Sequence, residues 1–446
     1  MRYLFASVAV AAIVTIPAQA QMGSGLISQE QAASVGLKRA WFARADVNPA
    51  YSAVTDWILS NDTLFLVTNA GLIQAMDANT GASLWSTQFG NPFYPSLGPA
   101  ANDTVVAVIN GSTLYLLDRK SGRILSDRRV EGVPGAAPAL SNEFVFVPTF
   151  SGKIVGYPLD PNAPNFSRWY YKSFGRALAP PLVTPKHLVW TTSDGFLYVA
   201  RAHDPGVEFR LETMGQFDAR PAYRDPLIYA IALSGDLFAV DENTGTLVWR
   251  YLTGYPTDRA PAAVGDKLFV SSEEPMLHCV DAASGLAKWE ALGISQFAAV
   301  TKSHVYGVDR YGTIHILSVN DGSSVGRIAT GGTLNALVND QTDQLFLISK
   351  SGLVQCLHEV GADEPTHYVE RPAAAQAEAT SPSAPAPAAE TTEPTEPAAE
   401  PADAADGFGE PAAQPEGNPF GTPTEEAAPP AKEESDFGVD EENPFG

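Results

Sequence analysis

The sequence predicts an all-β fold: an eight-bladed β-propeller of four-stranded antiparallel blades, followed by an acidic tail. Three observations predict it. Apolar runs begin at Leu64, Val105, Val145, Leu188, Ile228, Leu268, Val305 and Leu345, spaced by 41, 40, 43, 40, 40, 37 and 40 residues. Each run ends in a polar-Gly turn, as at Gly71, Gly152, Gly195, Gly235, Gly312 and Gly352, and a second apolar run follows. The stretch "DANTGASLW" (77–85) then returns as "DENTGTLVW" (241–249) and "DAASGLAKW" (281–289). A period near 40 with alternating apolar residues is the signature of propeller blades.

The elements follow in chain order. Residues 1–20 read as a secretory signal peptide: Arg2, an apolar run from Leu4 to Ile16, and Ala18-Gln19-Ala20 as a small-x-small cleavage site. The run is shorter than the roughly 20 residues a membrane span needs, and no later segment is apolar enough to cross. Residues 21–36 form a linker or short helix. The propeller occupies 37–361. Asp-x-x-[Thr/Ser]-Gly is a hairpin turn: the Asp oxygens hold the turn's N–H groups, and Gly takes a left-handed conformation. Trp85, Trp249 and Trp289 follow on the returning outer strand, placed to wedge between neighbouring blades, while Ser126 and Gly326 replace Trp in two units. The eighth unit has three strands, and "LKRAWFARADV" near the start is a lone strand with its own Trp41. That strand completes the eighth blade and closes the ring, which removes exposed sheet edges. A seven-bladed ring is the alternative, should the irregular "DPNAPNFSRWYYKSFG" pair differently.

From 362 to 446 the chain is an Ala/Pro/Glu/Thr-rich tail. Between Glu370 and Gly446 stand 18 acidic and 2 basic residues, a net of −16, so the preceding chain carries −7 of the total −23. Such a composition predicts disorder. Phe recurs in it as "DGFGE", "GNPFG", "SDFGV" and "ENPFG". Phe420 and Phe445 are candidate anchors for a partner's groove; a purely solubilising tail is the other reading.

The acidity argues against a nucleic-acid partner, since phosphate contacts need a basic surface. Cys279 and Cys356 hold the same strand position in units six and eight, one whole blade apart. That is beyond disulfide reach, so both read as core residues. The seven His show no metal-ligand spacing, no Gly-x-Ser-x-Gly elbow occurs, and no cofactor is expected.

Candidate interaction residues lie in loops leading into the innermost strands. "GQFDARPA" and "GYPTDRAPA" place Asp218 and Arg220 beside Asp258 and Arg259, with Arg176 in the preceding "FGRALAPP". An acid–base set at the channel mouth binds a peptide terminus or polar ligand; inter-blade ion pairs are the plainer alternative. In "GNPFYPSLGP", Phe93 and Tyr94 between two prolines form a stiff aromatic tip, an interface anchor or a packing contact with the next blade. Tyr255 and Phe297 occupy comparable loops.

The "D-x-x-TG-x-x-x-W" units, their period and the signal peptide resemble the pyrroloquinoline-quinone-type propeller repeat, over about three quarters of the chain. One branch of that superfamily, the quinoprotein dehydrogenases, implies a quinone- or small-ligand-binding enzyme. This chain lacks the adjacent cysteines of that branch, and no ligand set can be placed on it. The other branch is the propeller subunit of the bacterial outer-membrane barrel-assembly machinery, which implies a cofactor-free scaffold with protein partners in the envelope. Two features depart from that subunit: no lipid-attachment Cys follows the cleavage site, and the acidic tail is extra. The expectation is an exported, soluble, monomeric, non-catalytic protein of the periplasm or cell envelope.

Overall fold

The computed structural model describes residues 25–160, 168–204, 206–330, 334–362 and 364–369. Eight separate four-stranded antiparallel sheets form among them, one per blade. Seven blades are continuous in sequence, at 54–88, 96–129, 139–172, 182–212, 222–252, 262–292 and 296–328. In the eighth, three strands within 334–359 are completed by β1 (Leu37–Arg44), which pairs antiparallel with Leu353–Glu359. The ring therefore closes as the sequence predicts, with eight blades and not seven. The irregular unit supplies an ordinary outer strand, Trp169–Lys172.

The second strands are buried throughout, as in Phe144–Pro148 and His187–Thr191, whereas outer strands such as Ser83–Gln88 alternate. Both faces of a blade's middle strands are covered by neighbouring blades, so continuous burial replaces the alternation expected from sequence.

The repeated turn works as its residues imply. Asp77 Oδ1 accepts from the N–H groups of Asn79 and Thr80 and from the Thr80 hydroxyl (2.7–3.0 Å), and Gly81 sits at φ +74°. A second requirement fixes this glycine. A Cβ on Gly81 would lie 2.4 Å from the Trp41 ring, and one on Gly285 2.5 Å from Trp249. Each wedge Trp covers the turn glycine of the next blade and donates its indole N–H to the carbonyl just after the turn's first residue. Trp41 reaches Ala78 (2.9 Å), Trp85 reaches Arg119 (2.8 Å), Trp249 reaches Ala282 (3.1 Å) and Trp289 reaches Val319 (3.0 Å). Trp41 thus locks the closing strand onto the first blade.

At the seam between the seventh and eighth blades, where Gly326 replaces Trp, the N-terminal segment fills the gap. Ile27, Ala32 and Val35 pack with Ile316, Ile328 and Leu357 around the short helix α1 (Gln29–Ala33), which Ser28 and Gln31 cap reciprocally. Cys279 and Cys356 are free and buried. Each lies opposite a wedge Trp, Trp289 and Trp41 respectively, and burial pushes the Cys279 thiol up to about 12.

After the last strand the chain does not leave the disk at once. Residues 364–369 return to it, with a bridge between Thr342 and His367. The tail expected from 362 is therefore docked on the propeller as far as Val369. The expected signal peptide, Phe420 and Phe445 lie outside the described residues.

Candidate interaction face

Antiparallel connectivity divides the connections between two faces. First-to-second and third-to-fourth strand hairpins emerge on one, here the turn face. Second-to-third hairpins and the links between blades emerge on the other, the loop face.

The turn face is closed by hydrogen bonds. A Thr-x-x-His turn occurs twice, and each time a Glu of the next blade latches onto it. Glu242 accepts from the Thr184 hydroxyl (2.9 Å) and the Tyr223 hydroxyl (2.5 Å) and pairs with His187 Nδ1 (3.1 Å). Glu359 does the same with Thr301 (2.6 Å), Tyr306 (3.1 Å) and His304 Nδ1 (2.7 Å). Burial alone would raise both carboxyls, but these hydrogen bonds hold them below the usual range. Glu242 is 1% exposed.

The loop face exposes aromatic side chains, whereas the large apolar side chains exposed beside the turn-face hairpins, such as Leu84, Val248 and Leu286, are aliphatic. Phe93 is 90% exposed and Tyr94 more than half, so the aromatic tip projects into solvent. Val133, Phe150, Phe174 and Met214 continue the row from the second blade to the fifth, and Tyr51, Tyr255 and Tyr311 lie exposed further round. Phe297 does not belong to it: it falls in the innermost strand Gln296–Val300, stacked at 4.6 Å on Phe269 in the core. A β-bulge after Phe297 turns it inward.

The five charged candidates do not form one set. Arg176 lies over the Phe150 ring (4.7 Å), and nearby Arg210 lies over Phe174 and Phe196 (5.5 and 5.4 Å). Asp258 and Arg259 pair with each other at 3.5 Å, exposed, on the rim of a cleft of about 530 Å³ that Glu273, Asp309, Arg310 and Asn335 also line. Asp218 accepts a long bond from Gln216 (3.4 Å). Arg220 turns into the central channel, where its charged neighbours are Asp340 and Asp56 of the eighth and first blades. The loops diverge because each offers a different nearest partner: a phenylalanine, a sequence neighbour, or the channel.

Sequence reasoning missed Asp56 and Asp340. Asp56 had a readable signal, since it pairs with Val67 in the register that Arg220 occupies two residues before Ala222–Tyr229. Among the described residues no cluster of three or more His, Cys, Asp or Glu is placed to hold a metal ion, and no helix is long and apolar enough to cross a membrane.

A family profile described as "Outer membrane protein assembly factor BamB" matches residues 38–160 and 110–328, more than half of the chain. The chain belongs to the BamB family. Curated relatives bearing that same description come from Burkholderia pseudomallei (21% identical over 323 residues, 67% of this chain and 81% of the relative) and Yersinia pestis (22% over 321 residues, 66% and 81%). The crystal structure of BamB from Moraxella catarrhalis superposes with a TM-score of 0.59 at 20% identity, covering 72% of this chain and 97% of that one. The computationally designed Ika8 protein gives 0.55 at 16%, covering 71% and 98%. At such identities the two structures speak to fold alone.

Proposed function

We propose that this chain is a non-catalytic scaffold of the cell envelope that helps assemble outer-membrane proteins by docking a protein partner on its loop face. BamB-family membership and the relatives' description as assembly factors support the reading, together with the expected signal peptide. The observation that carries it is the row Phe93, Tyr94, Phe150, Phe174 and Met214, exposed on one face of a rigid disk. Exposed aromatic and Met side chains rimmed by polar groups mark protein interfaces. Arg176 and Arg210 fit the same role. A guanidinium held over a ring keeps its N–H groups for a partner's carboxylate or carbonyl.

Phe420 and Phe445 of the acidic tail act as a second, weaker contact, the protein works as a monomer after export, and the remaining loop candidates Asp218, Asp258 and Arg259 form the polar rim. The test is capture from envelope extract with the full-length chain. An integral outer-membrane assembly protein is the expected catch. Replacing Phe93, Tyr94, Phe174 and Arg176 together by Ala should abolish it, and replacing Phe420 and Phe445 should only weaken it. A catch indifferent to the loop substitutions contradicts the reading.

A further inference from the structure

The innermost strands leave a channel along the ring axis, and its mouth on the turn face is partly covered. Thr366 donates its N–H to Asp343 (2.9 Å), and Tyr368 donates its N–H to the Gln341 carbonyl (2.8 Å) and its hydroxyl to the Val300 carbonyl (2.8 Å). Arg224 reaches the Tyr368 carbonyl (3.5 Å). Val300 and Arg224 end the innermost strands of the seventh and fifth blades, and Gln341 lies in the turn that follows the eighth blade's innermost strand. These contacts put Tyr368 over the turn-face mouth on the side of the fifth to eighth blades, so the mouth on the loop face is the wider way in.

Inside stands Arg220. It is solvent-accessible yet walled by protein, and it makes no hydrogen bond or ion pair among the described residues. The positions equivalent to it in the flanking blades follow from the shared links Ser193 to Arg176, Leu233 to Gln216 and Glu273 to Pro256. Four residues beyond those acceptors stand Pro180, Arg220 and Ala260. Two short side chains thus flank the long one and leave room beside it. Asp56, in the same register four blades away, faces Arg220 across the axis, and Asp340 approaches from the eighth blade.

We propose that this channel, partly covered on the turn face, is a binding site for a carboxylate, entering from the loop face and held by the Arg220 guanidinium. A guanidinium offers five N–H donors in a fork that matches a carboxylate's two oxygens, and here no group among the described residues takes them. The two aspartates set the conditions. Ionised, they face the same guanidinium and repel an anion. Protonated, each offers an O–H to the ligand. Burial raises both carboxyls, Asp56 to about 6 against the pull of the Trp57 N–H and of Arg220, so proton uptake by Asp56 as pH falls through that value removes one negative charge facing the ligand. The carboxylate could belong to a free small diacid or to the C-terminus of a peptide, and the chemistry at Arg220 is the same.

The test is calorimetric titration of the full-length chain at pH 5.5 and 7.5 with succinate, with tetra-alanine, and with amidated tetra-alanine. One site per chain is expected at pH 5.5 and a roughly 25-fold weaker one at pH 7.5, because the competent protonated fraction of Asp56 shrinks. Succinate alone binding assigns a small diacid; tetra-alanine binding with its amide inert assigns a chain end. Arg220→Gln should abolish the signal with the urea midpoint unchanged. Should that variant fail to fold, Arg220→Lys, which keeps the charge and loses the fork, should weaken binding at least severalfold. Asp56→Asn should keep binding and flatten its pH dependence. No binding of any probe at either pH, or binding that survives Arg220→Gln, overturns the proposal.

Discussion

The two faces of the disk use similar residue types to opposite ends. On the turn face, Asp241 and Asp281 spend their oxygens on the N–H and hydroxyl groups of their own hairpins, and Glu242 and Glu359 spend theirs on the preceding blade. Aromatic rings there lie over glycines, inside seams. On the loop face the rings lie in solvent, and two guanidiniums rest on rings rather than on carboxylates. The difference teaches where to look in a repeat protein. Residues that obey the repeat hold blades together, and residues that depart from it are free to meet something else.

That contrast makes stability and binding separable. The largest effect is expected at the closing seam. Trp41→Ala removes a ring packed on Gly81 and Phe346 together with a hydrogen bond to Ala78, and should cost about 3–5 kcal/mol in urea unfolding. A cost below about 1 kcal/mol would mean that the closing strand is not what holds the ring.

The Glu latches come next. Their folded carboxyls lie below the ordinary 4.5. A depressed acid contributes stability that is fully present above its unfolded value and is lost as pH falls through the folded one. Unfolding free energy should therefore decline from about pH 4.5 downward, and Glu242→Gln with Glu359→Gln should flatten that decline while costing about 1–3 kcal/mol per site at pH 7. An unchanged acid slope in the double variant would show that the latches do not titrate with folding.

The smallest stability effect belongs to the loop face, where Phe93→Ala and Phe174→Ala should change unfolding by less than about 0.5 kcal/mol. A larger cost would make those rings structural and erase the contrast between faces.

What the sequence made legible follows the same division. The blade count, the closing strand and the Trp wedge are all repeat properties, and period and turn chemistry state them openly. Trp169 escaped because the fourth blade has no Asp-x-x-Thr-Gly turn to receive it. It fills the wedge position opposite Gly156, yet its indole nitrogen is buried without a partner. α1 was expected only as a linker or short helix, and its place in the seam that Gly326 leaves open depends on a neighbour some 290 residues away in sequence. The charged candidates shared a loop pattern but not a destination. Arg220 met Asp56 and Asp340 because ring closure carries the first and eighth blades round the axis to face the fifth, a juxtaposition no local pattern encodes. Tyr368 looked like the beginning of a tail because its partners Val300 and Gln341 are backbone carbonyls, which any sequence supplies.

Partner docking on the loop face is tested most directly by placing a photo-crosslinking amino acid at Phe93 or Phe174, and separately at the turn-face positions Asn243 or Ser284, in the full-length chain, and irradiating in envelope extract. A discrete partner adduct is expected from the loop-face positions and none from the turn-face pair. Adducts of equal yield from both faces, or from the turn face alone, would contradict it.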